Sequence, residues 1–499
     1  MIAEVAVGLP IDKTFHYSVP SALTDKVGIG KRVWIPFGAK RLVGYIVNLN
    51  DTPGVPTPGV YQVRDIEDVI DERPVLDKGM LELTKWMSEY YFCTWGEAIE
   101  NSLPAALRKG KTRIAPRKGQ EERSYEKSFD LDLNIQQTAG ISPILENLEK
   151  GHHSVHLLFG VTASGKTELY IQAISLALKQ GKSSIVLVPE ISLTPQATER
   201  FKSRFGDEVS VIHSRLSEGV RLREWQKARD GKVRVIIGPR SAIFAPVENL
   251  GLVVIDEEHE TSYKQEDSPR YHARDVAIKR ASISNAAVVL GSATPSLEAY
   301  YNATTGRYNL IKLTERVLKR DMPRVKIVDM RKELSNRKRV TAFSFLLQDE
   351  ITKVMAAKKQ AILFLNRRGF STHLDCKKCG FVMECKRCKS VLVYHSDLGR
   401  LVCHYCGRKF DIPKICPSCK GGYIKFFGLG TQKVESELHR FFPGARISRM
   451  DTDATSKRGS HERILEEFKN GAIDILVGTQ MIAKGLDFPQ VTLVGVISA

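Results

Sequence analysis

The sequence predicts an α/β fold with two parallel-sheet lobes, a small β-rich domain ahead of them and a double zinc insert inside the second lobe. Three observations predict it. Short apolar runs alternate with helical segments from residue 154 onward, which is the pattern of a parallel sheet covered by helices. The first 50 residues read instead as β-structure without helices. Eight of the nine cysteines fall between positions 376 and 419, as four C-x-x-C pairs.

Size and composition agree. At roughly 150 residues per domain, 499 residues make about three domains. A chain that is 42% hydrophobic and 26% charged is neither disordered nor fibrous. No apolar run approaches the roughly 18 residues that cross a membrane. The N-terminus is not read as a secretory signal, because Glu4 interrupts the apolar stretch and Asp12-Lys13 closes it. The expectation is a cytoplasmic protein without a membrane partner. The net charge is +18, which points to a polyanion and to nucleic acid first; the other reading is a solvated basic surface. Residues 1–113 are neutral, with 14 basic and 14 acidic side chains, whereas residues 366–425 hold 13 basic and 4 acidic ones.

The elements follow in order. Arg32–Phe37 and Leu42–Val47 are strand-like runs around the turn Gly38-Ala39-Lys40, and Asp51–Gly59 is a Pro/Gly loop. Residues 76–92 have helical periodicity through Leu81, Leu83, Trp86, Met87 and Tyr90. Arg108–Lys127, with 8 basic and 3 acidic residues, reads as a linker. Strands are expected at Ser154–Phe159, Ser184–Val188, Val233–Ile237, Leu252–Ile255 and Ala287–Leu290, then at Ala361–Leu365, Ala472–Val477 and Val491–Ile497. The domains expected are 1–105, the linker 106–130, a first lobe 131–315 and a second lobe 322–499 with the zinc insert at 375–421.

Two motifs make an NTPase site. Gly160-Val161-Thr162-Ala163-Ser164-Gly165-Lys166-Thr167 fits G-x-x-x-x-G-K-[ST] between an apolar run and a helix. Glycines at Gly160 and Gly165 let backbone N–H groups face phosphate, Lys166 reaches the β- and γ-phosphates of ATP, and Thr162 lies within the cradle. Thr167 can hold Mg²⁺. The buried run Leu252–Ile255 ends in Asp256-Glu257-Glu258-His259, where Asp256 is assigned to the metal and Glu257 to the attacking water.

The cysteine pairs are Cys376/Cys379, Cys385/Cys388, Cys403/Cys406 and Cys416/Cys419. Eight thiolates make two closed Cys₄ sites, and closed zinc sites are structural. Each structural zinc supplies on the order of 10 kcal/mol of apparent folding energy, which an insert with few large apolar residues needs. Spacing leaves the pairing open between a nested and a sequential arrangement. Cys93 stands apart as a core residue.

In order along the chain, the phosphate loop, Asp256–His259, Gly291-Ser292-Ala293-Thr294-Pro295 and Gly478–Gly485 resemble the motif set of superfamily 2 helicases. Val188–Gln196, Ser262–Glu266 with Arg270–Asp275, and Phe364–Gly369, together with the cysteine insert, resemble the PriA family of bacterial replication-restart helicases (primosomal protein N′) over about 1–105 and 130–499. The resemblance implies two RecA-like lobes and an ATP-dependent 3′→5′ DNA helicase that recognises stalled forks and starts primosome assembly. It implies forked and single-stranded DNA with a 3′ end as substrate, and single-strand-binding protein and primosome proteins as partners. By the same resemblance Gln137 contacts adenine. The loop from Tyr263 to Asp275 senses single-stranded DNA, with Tyr263 and Tyr271 stacking on bases and Lys264, Arg270 and Arg274 meeting phosphates. Thr479 and Gln480 touch the DNA backbone and the nucleotide cleft. The zinc pairing implied is nested: Cys376, Cys379, Cys416 and Cys419 on one ion, Cys385, Cys388, Cys403 and Cys406 on the other. Phe15, His16 and Tyr17 fall where the family binds a terminal nucleotide, with His16 in place of a common Asp.

Two further departures shape expectation. Residues 106–130 are too short for the winged-helix domain that the family carries there, and the chain stops before the family's Q-x-x-G-R-x-G-R arginine motif. The expectation is ATP binding with poor hydrolysis, and the alternative reading is a DNA- and ATP-binding fragment without motor activity.

Overall fold

A computed structural model describes residues 1–50, 63–112, 126–190, 195–214, 216–317, 323–330, 332–333, 341–365, 373–376, 379–395, 398–421, 424–427, 431–451, 460–482 and 488–497. The Pro/Gly loop, most of the basic linker, Ile191–Thr194, Asn366–Gly369 and Lys484-Gly485 lie outside them. The chain forms two compact units, Met1–Asp321 and Met322–Ala499.

The first unit opens with β1 (Ile2–Val7), β2 (Phe15–Ser18), β3 (Arg32–Phe37), β4 (Lys40–Asn50) and β5 (Asp68–Val69). They form an antiparallel sheet in the order β2-β1-β4-β3-β5. Helices α1 (Lys78–Tyr91), α2 (Trp95–Ser102) and α3 (Ala105–Arg108) follow. Asp77 caps α1 by accepting from the Met80 N–H at 2.6 Å, and Thr94 with Glu97 forms a capping box on α2.

The parallel lobe comprises α4 (Ile135–Lys150), β6 (Ser154–Gly160), α5 (Lys166–Lys179), β7 (Ser183–Leu187), α6 (Pro195–Phe205), β8 (Val209–Val211), α7 (Glu218–Arg229), β9 (Val235–Gly238), β10 (Leu250–Asp256), α8 (Ala273–Ile283), β11 (Ala287–Ser292), α9 (Leu297–Thr304) and β12 (Asn309–Leu313). Its seven strands are all parallel, in the order β12-β6-β11-β10-β7-β9-β8. Central strands β7 and β11 are buried along their whole length, which is why they read as unbroken apolar runs. One apolar core runs from Leu83 and Met87 of α1 to Val276 and Ala277 of α8. The boundary near residue 105 is therefore no gap in the packing.

The second unit holds a parallel sheet of Ile447–Met450, Ile475–Gly478, Gln360–Leu365 and Val491–Ile497, in that spatial order. Phe343, Ile351, Leu363 and Val477 lie at its core. Strands His373–Cys376 and Ile424–Phe427 pair antiparallel and bracket a three-stranded zinc module of Val393–His395, Arg400–Val402 and Lys409–Phe410. Among the described residues, no helix is long and apolar enough to cross a membrane.

Candidate nucleotide site and zinc centres

The phosphate loop turns from the end of β6 into α5. Gly165 is its N-cap with φ +83°, a conformation that suits glycine, and a Cβ there would meet the Gln137 side chain. Lys166 points its Nζ back over the loop, donating to the Gly160 carbonyl at 2.8 Å and lying 3.4 Å from that of Val161. Burial holds its pKa below the ordinary lysine value, against the pull of Asp256 and then Glu257. Thr167 is the second residue of α5, and the Thr162 carbonyl accepts from Arg316 at 3.2 Å.

Gln137 is buried and occupied at both ends of its amide. It closes a capping box with Asn134, whose backbone N–H donates to its Oε1 at 2.9 Å, and its Nε2 donates to the Ser164 carbonyl at 3.0 Å. It is tied to the phosphate loop, a role that the adenine expectation did not include.

The acidic box sits at the C-terminal end of β10, beside the phosphate loop. Burial, and then the charge of Glu257, push the Asp256 carboxyl up to about 6. Glu257 has φ +48°, left-handed backbone that costs a non-glycine residue about 1 kcal/mol or more. Glu258 is buried and accepts from the Ser296 N–H at 2.6 Å and from Arg274 at 3.2 Å. His259 Nδ1 lies 2.8 Å from Ser292 Oγ, which accepts from the Thr294 N–H at 2.9 Å. The last two residues of the box thus lock it to Ser292 and Ser296, within and just after Gly291–Pro295.

The loop Tyr263–Asp275 corrects part of the stacking and phosphate expectation. Tyr263 and Tyr271 are each only 1% exposed. The Tyr263 hydroxyl donates to the Asp256 carbonyl at 2.7 Å, and Tyr271 packs edge-on against Phe244. Neither ring faces solvent, so neither stacks on a base in this conformation. Arg274 is held by Glu258 at 3.2 Å and by Ser296 Oγ at 2.8 Å. Of the five, only Lys264 and Arg270 are exposed. Large aromatic rings pack well in a core, and their hydroxyls can find buried carbonyls. The loop is also gripped from the small domain. Asn101 accepts from Gln265 at 2.9 Å and donates to the Ser268 carbonyl at 3.2 Å, while the Tyr91 hydroxyl accepts from the His272 N–H at 3.2 Å.

In β2 the side chains alternate. Tyr17 is buried with its hydroxyl on the Pro36 carbonyl, Phe15 is half-buried edge-on to Phe37, and His16 alone is exposed. A strand cannot turn three successive residues to one face, so the trio does not line one pocket. Thr479 is buried at the end of strand Ile475–Gly478, and Gln480 begins a short turn.

The eight cysteines gather into two clusters. Sulfurs of Cys376, Cys379, Cys416 and Cys419 lie within 4.8 Å of one another, as do those of Cys385, Cys388, Cys403 and Cys406. This is the nested grouping, not the sequential one. Sulfur–sulfur distances of 3.6 Å (Cys376–Cys419) and 3.7 Å (Cys379–Cys416, Cys385–Cys406) fit a tetrahedron of Zn–S bonds near 2.3 Å, whose edges are about 3.8 Å. All four pairs share one turn. The N–H of the residue after the second cysteine donates to the first cysteine's carbonyl, from Gly380, Lys389, Gly407 and Lys420 at 2.8–3.0 Å. The first cysteine's N–H donates one residue further on, to Phe381, Ser390, Arg408 and Gly421. The donors Gly380, Lys389, Gly407 and Lys420 all have positive φ, between 56° and 76°.

Sequence reasoning passed over Tyr170, Glu258, His259, Ser296 and Asn101. Glu258 and His259 lay inside the quoted acidic box and were signalled by it. Tyr170, Ser296 and Asn101 carry no signal without the fold.

Comparisons with known proteins match in chain order. The 3′DNA-binding domain (3′BD) of PriA matches residues 4–104, a DEAD/DEAH box helicase domain residues 134–303, the PriA DNA helicase Cys-rich region (CRR) domain residues 385–409, and the helicase conserved C-terminal domain residues 418–499. Replication restart protein PriA of Bacillus subtilis (strain 168) is 38% identical over 634 residues, covering 100% of this chain and 78% of its own length. The protein of the same name from Treponema pallidum (strain Nichols) is 39% identical over 498 residues, covering 99% of this chain and 74% of its own. That of a Synechocystis species is 48% identical over 359 residues, covering 70% and 43%.

Proposed function

The chain belongs to the PriA family of replication restart proteins, and from that premise we propose how its residues divide the work of the motor. It is an ATP-dependent DNA helicase of replication restart, with a zinc-binding Cys-rich region. Helicase domain matches in both lobes favour this over the fragment without motor activity.

Lys166 meets the β- and γ-phosphates, with Gly160, Thr162 and Gly165 in the cradle. Thr167 and Asp256 hold Mg²⁺, and Glu257 orients the attacking water. Mg²⁺, when bound, neutralises phosphate charge. Gln137 braces the phosphate loop beside the base. Lys264 and Arg270 meet phosphates of the single strand, Thr479 and Gln480 contact it from the second lobe, and His16, the exposed residue of β2, reads the 3′ end. Eight cysteines hold two structural zinc ions. Motion is 3′→5′ on forked DNA in the cytoplasm, with single-strand-binding protein and primosome proteins as partners.

The observation that carries the nucleotide assignment is geometric: α5, which Lys166 opens, is joined to the acidic box at the end of β10 by the Tyr170 hydroxyl on Asp256 Oδ1 at 3.1 Å. Steady-state ATPase with and without forked DNA, beside Lys166→Ala, tests it. DNA-stimulated turnover that Lys166→Ala abolishes is the expected result. No turnover with fork binding intact would favour the fragment reading.

A further inference from the structure

Tyr170 lies four residues beyond Lys166, one turn along α5, and is only 2% exposed. Its hydroxyl donates to Asp256 Oδ1 at 3.1 Å. The same hydroxyl rests on Gly291, where an added Cβ would stand 1.6 Å from its oxygen. Gly291 in turn accepts from the Glu258 N–H through its carbonyl at 3.1 Å. One phenol oxygen therefore meets the helix of the phosphate loop, the acidic box and the Gly291–Pro295 segment.

We propose that Tyr170 is a positioning residue for Asp256, fixing the plane of the carboxylate that takes the divalent cation. This rests on the nucleotide-site reading above. A phenylalanine would fill the same volume without placing a polar group in the interior, where an unpaired hydroxyl is costly. The hydroxyl is matched here by Asp256, the carboxylate assigned to the cation. A bond to Oδ1 restrains rotation about the last bond of the side chain and so favours one direction for Oδ2 before a cation arrives. Pre-set ligand direction is how outer partners tune a metal site. Gly291 fits the same scheme: any side chain there would push the hydroxyl off the carboxylate.

The test is Tyr170→Phe in the full chain, read by binding of a fluorescent ADP analogue in EDTA and across a Mg²⁺ titration, with a thermal melt alongside. The expected result is metal-free binding within about twofold of the parent, and a half-saturating Mg²⁺ concentration raised about five- to tenfold. An unchanged Mg²⁺ midpoint overturns the proposal. So does a parallel fall of metal-free and metal-bound affinity, which marks a merely structural role. If Tyr170→Phe does not fold, 3-fluorotyrosine placed at 170 keeps shape and hydroxyl while changing donor strength. A midpoint moved at least twofold supports the proposal and an unmoved one overturns it. Parent protein with no Mg²⁺-dependent nucleotide binding would sink the nucleotide-site reading itself, and this proposal with it.

Discussion

Arg274 and Glu258 form an ion pair, Nη1 to Oε2 at 3.2 Å, with side-chain exposures of 11% and 0%. It joins the Tyr263–Asp275 loop to the acidic box, and Ser296 bonds both partners. Removing one partner of a buried pair strands the other charge, at a cost of about 3–5 kcal/mol. Arg274→Ala should therefore lower the melting temperature markedly. Arg270→Ala, on an exposed side chain, should stay within about 0.5 kcal/mol of the parent and weaken single-strand binding instead. Melts and DNA titrations of the two variants separate a structural arginine from a phosphate-binding one. Equal melts would contradict the arrangement.

The zinc grouping makes a stoichiometric prediction. The parent should carry two zinc ions per chain. Cys376→Ser and Cys419→Ser should each lose the same ion, and the double variant should lose no more than either alone. Combining Cys376→Ser with Cys385→Ser should lose both. Metal analysis of the purified variants decides it, and additive loss for Cys376 and Cys419 would refute the nested grouping.

Two of the four cysteine turns place lysine where the other two place glycine. Lys389 and Lys420 hold φ of 56° and 58°. Left-handed backbone costs an L-residue roughly 1–2 kcal/mol, partly offset in the exchange by glycine's greater unfolded freedom. Lys389→Gly and Lys420→Gly should then resist zinc stripping by a chelator as well as the parent or better. Faster stripping would show that the lysine side chains stabilise the turns.

His156 gives the first unit an acid-sensitive point. It is fully buried in β6 with Ser154 Oγ 3.0 Å from its Nε2, and burial lowers its pKa to about 4. Below the unfolded value of about 6.5 the unfolded chain takes a proton that the folded one refuses, so stability falls as pH drops. The fall runs from about pH 6.5 to about 4 and totals about 3 kcal/mol. His156→Gln should flatten that part of a denaturant-midpoint profile. A profile as steep as the parent's would point to other groups.

The parallel strands of both lobes were legible because burial on two faces leaves unbroken apolar runs. Val491–Ile497 matches residue for residue. Short or edge strands were not, since Val209–Val211 and Asn309–Leu313 offer too few residues for a period. The phosphate loop and the C-x-x-C pairs read directly, because chain-local chemistry fixes their spacing. The aromatic loop misled: residue type says that Tyr263 and Tyr271 can stack, while only packing decides that they are inside. Long-range partners such as Asn101 with Gln265 have no chain-local trace.

The strands that lead into and out of the zinc module are hydrogen-bonded to each other, with Cys376 opposite Ile424. Both ends of the excursion are therefore neighbours, and the module hangs from its lobe like a locket on a clasp. Because the cost of closing a loop grows only with the logarithm of its length, stripping the ions can unravel the hanging part while the clasp stays shut. The same geometry means that the module could be cut away at the clasp and replaced by a tight turn, or moved whole onto another pair of antiparallel strands, with no stretching of the chain on either side.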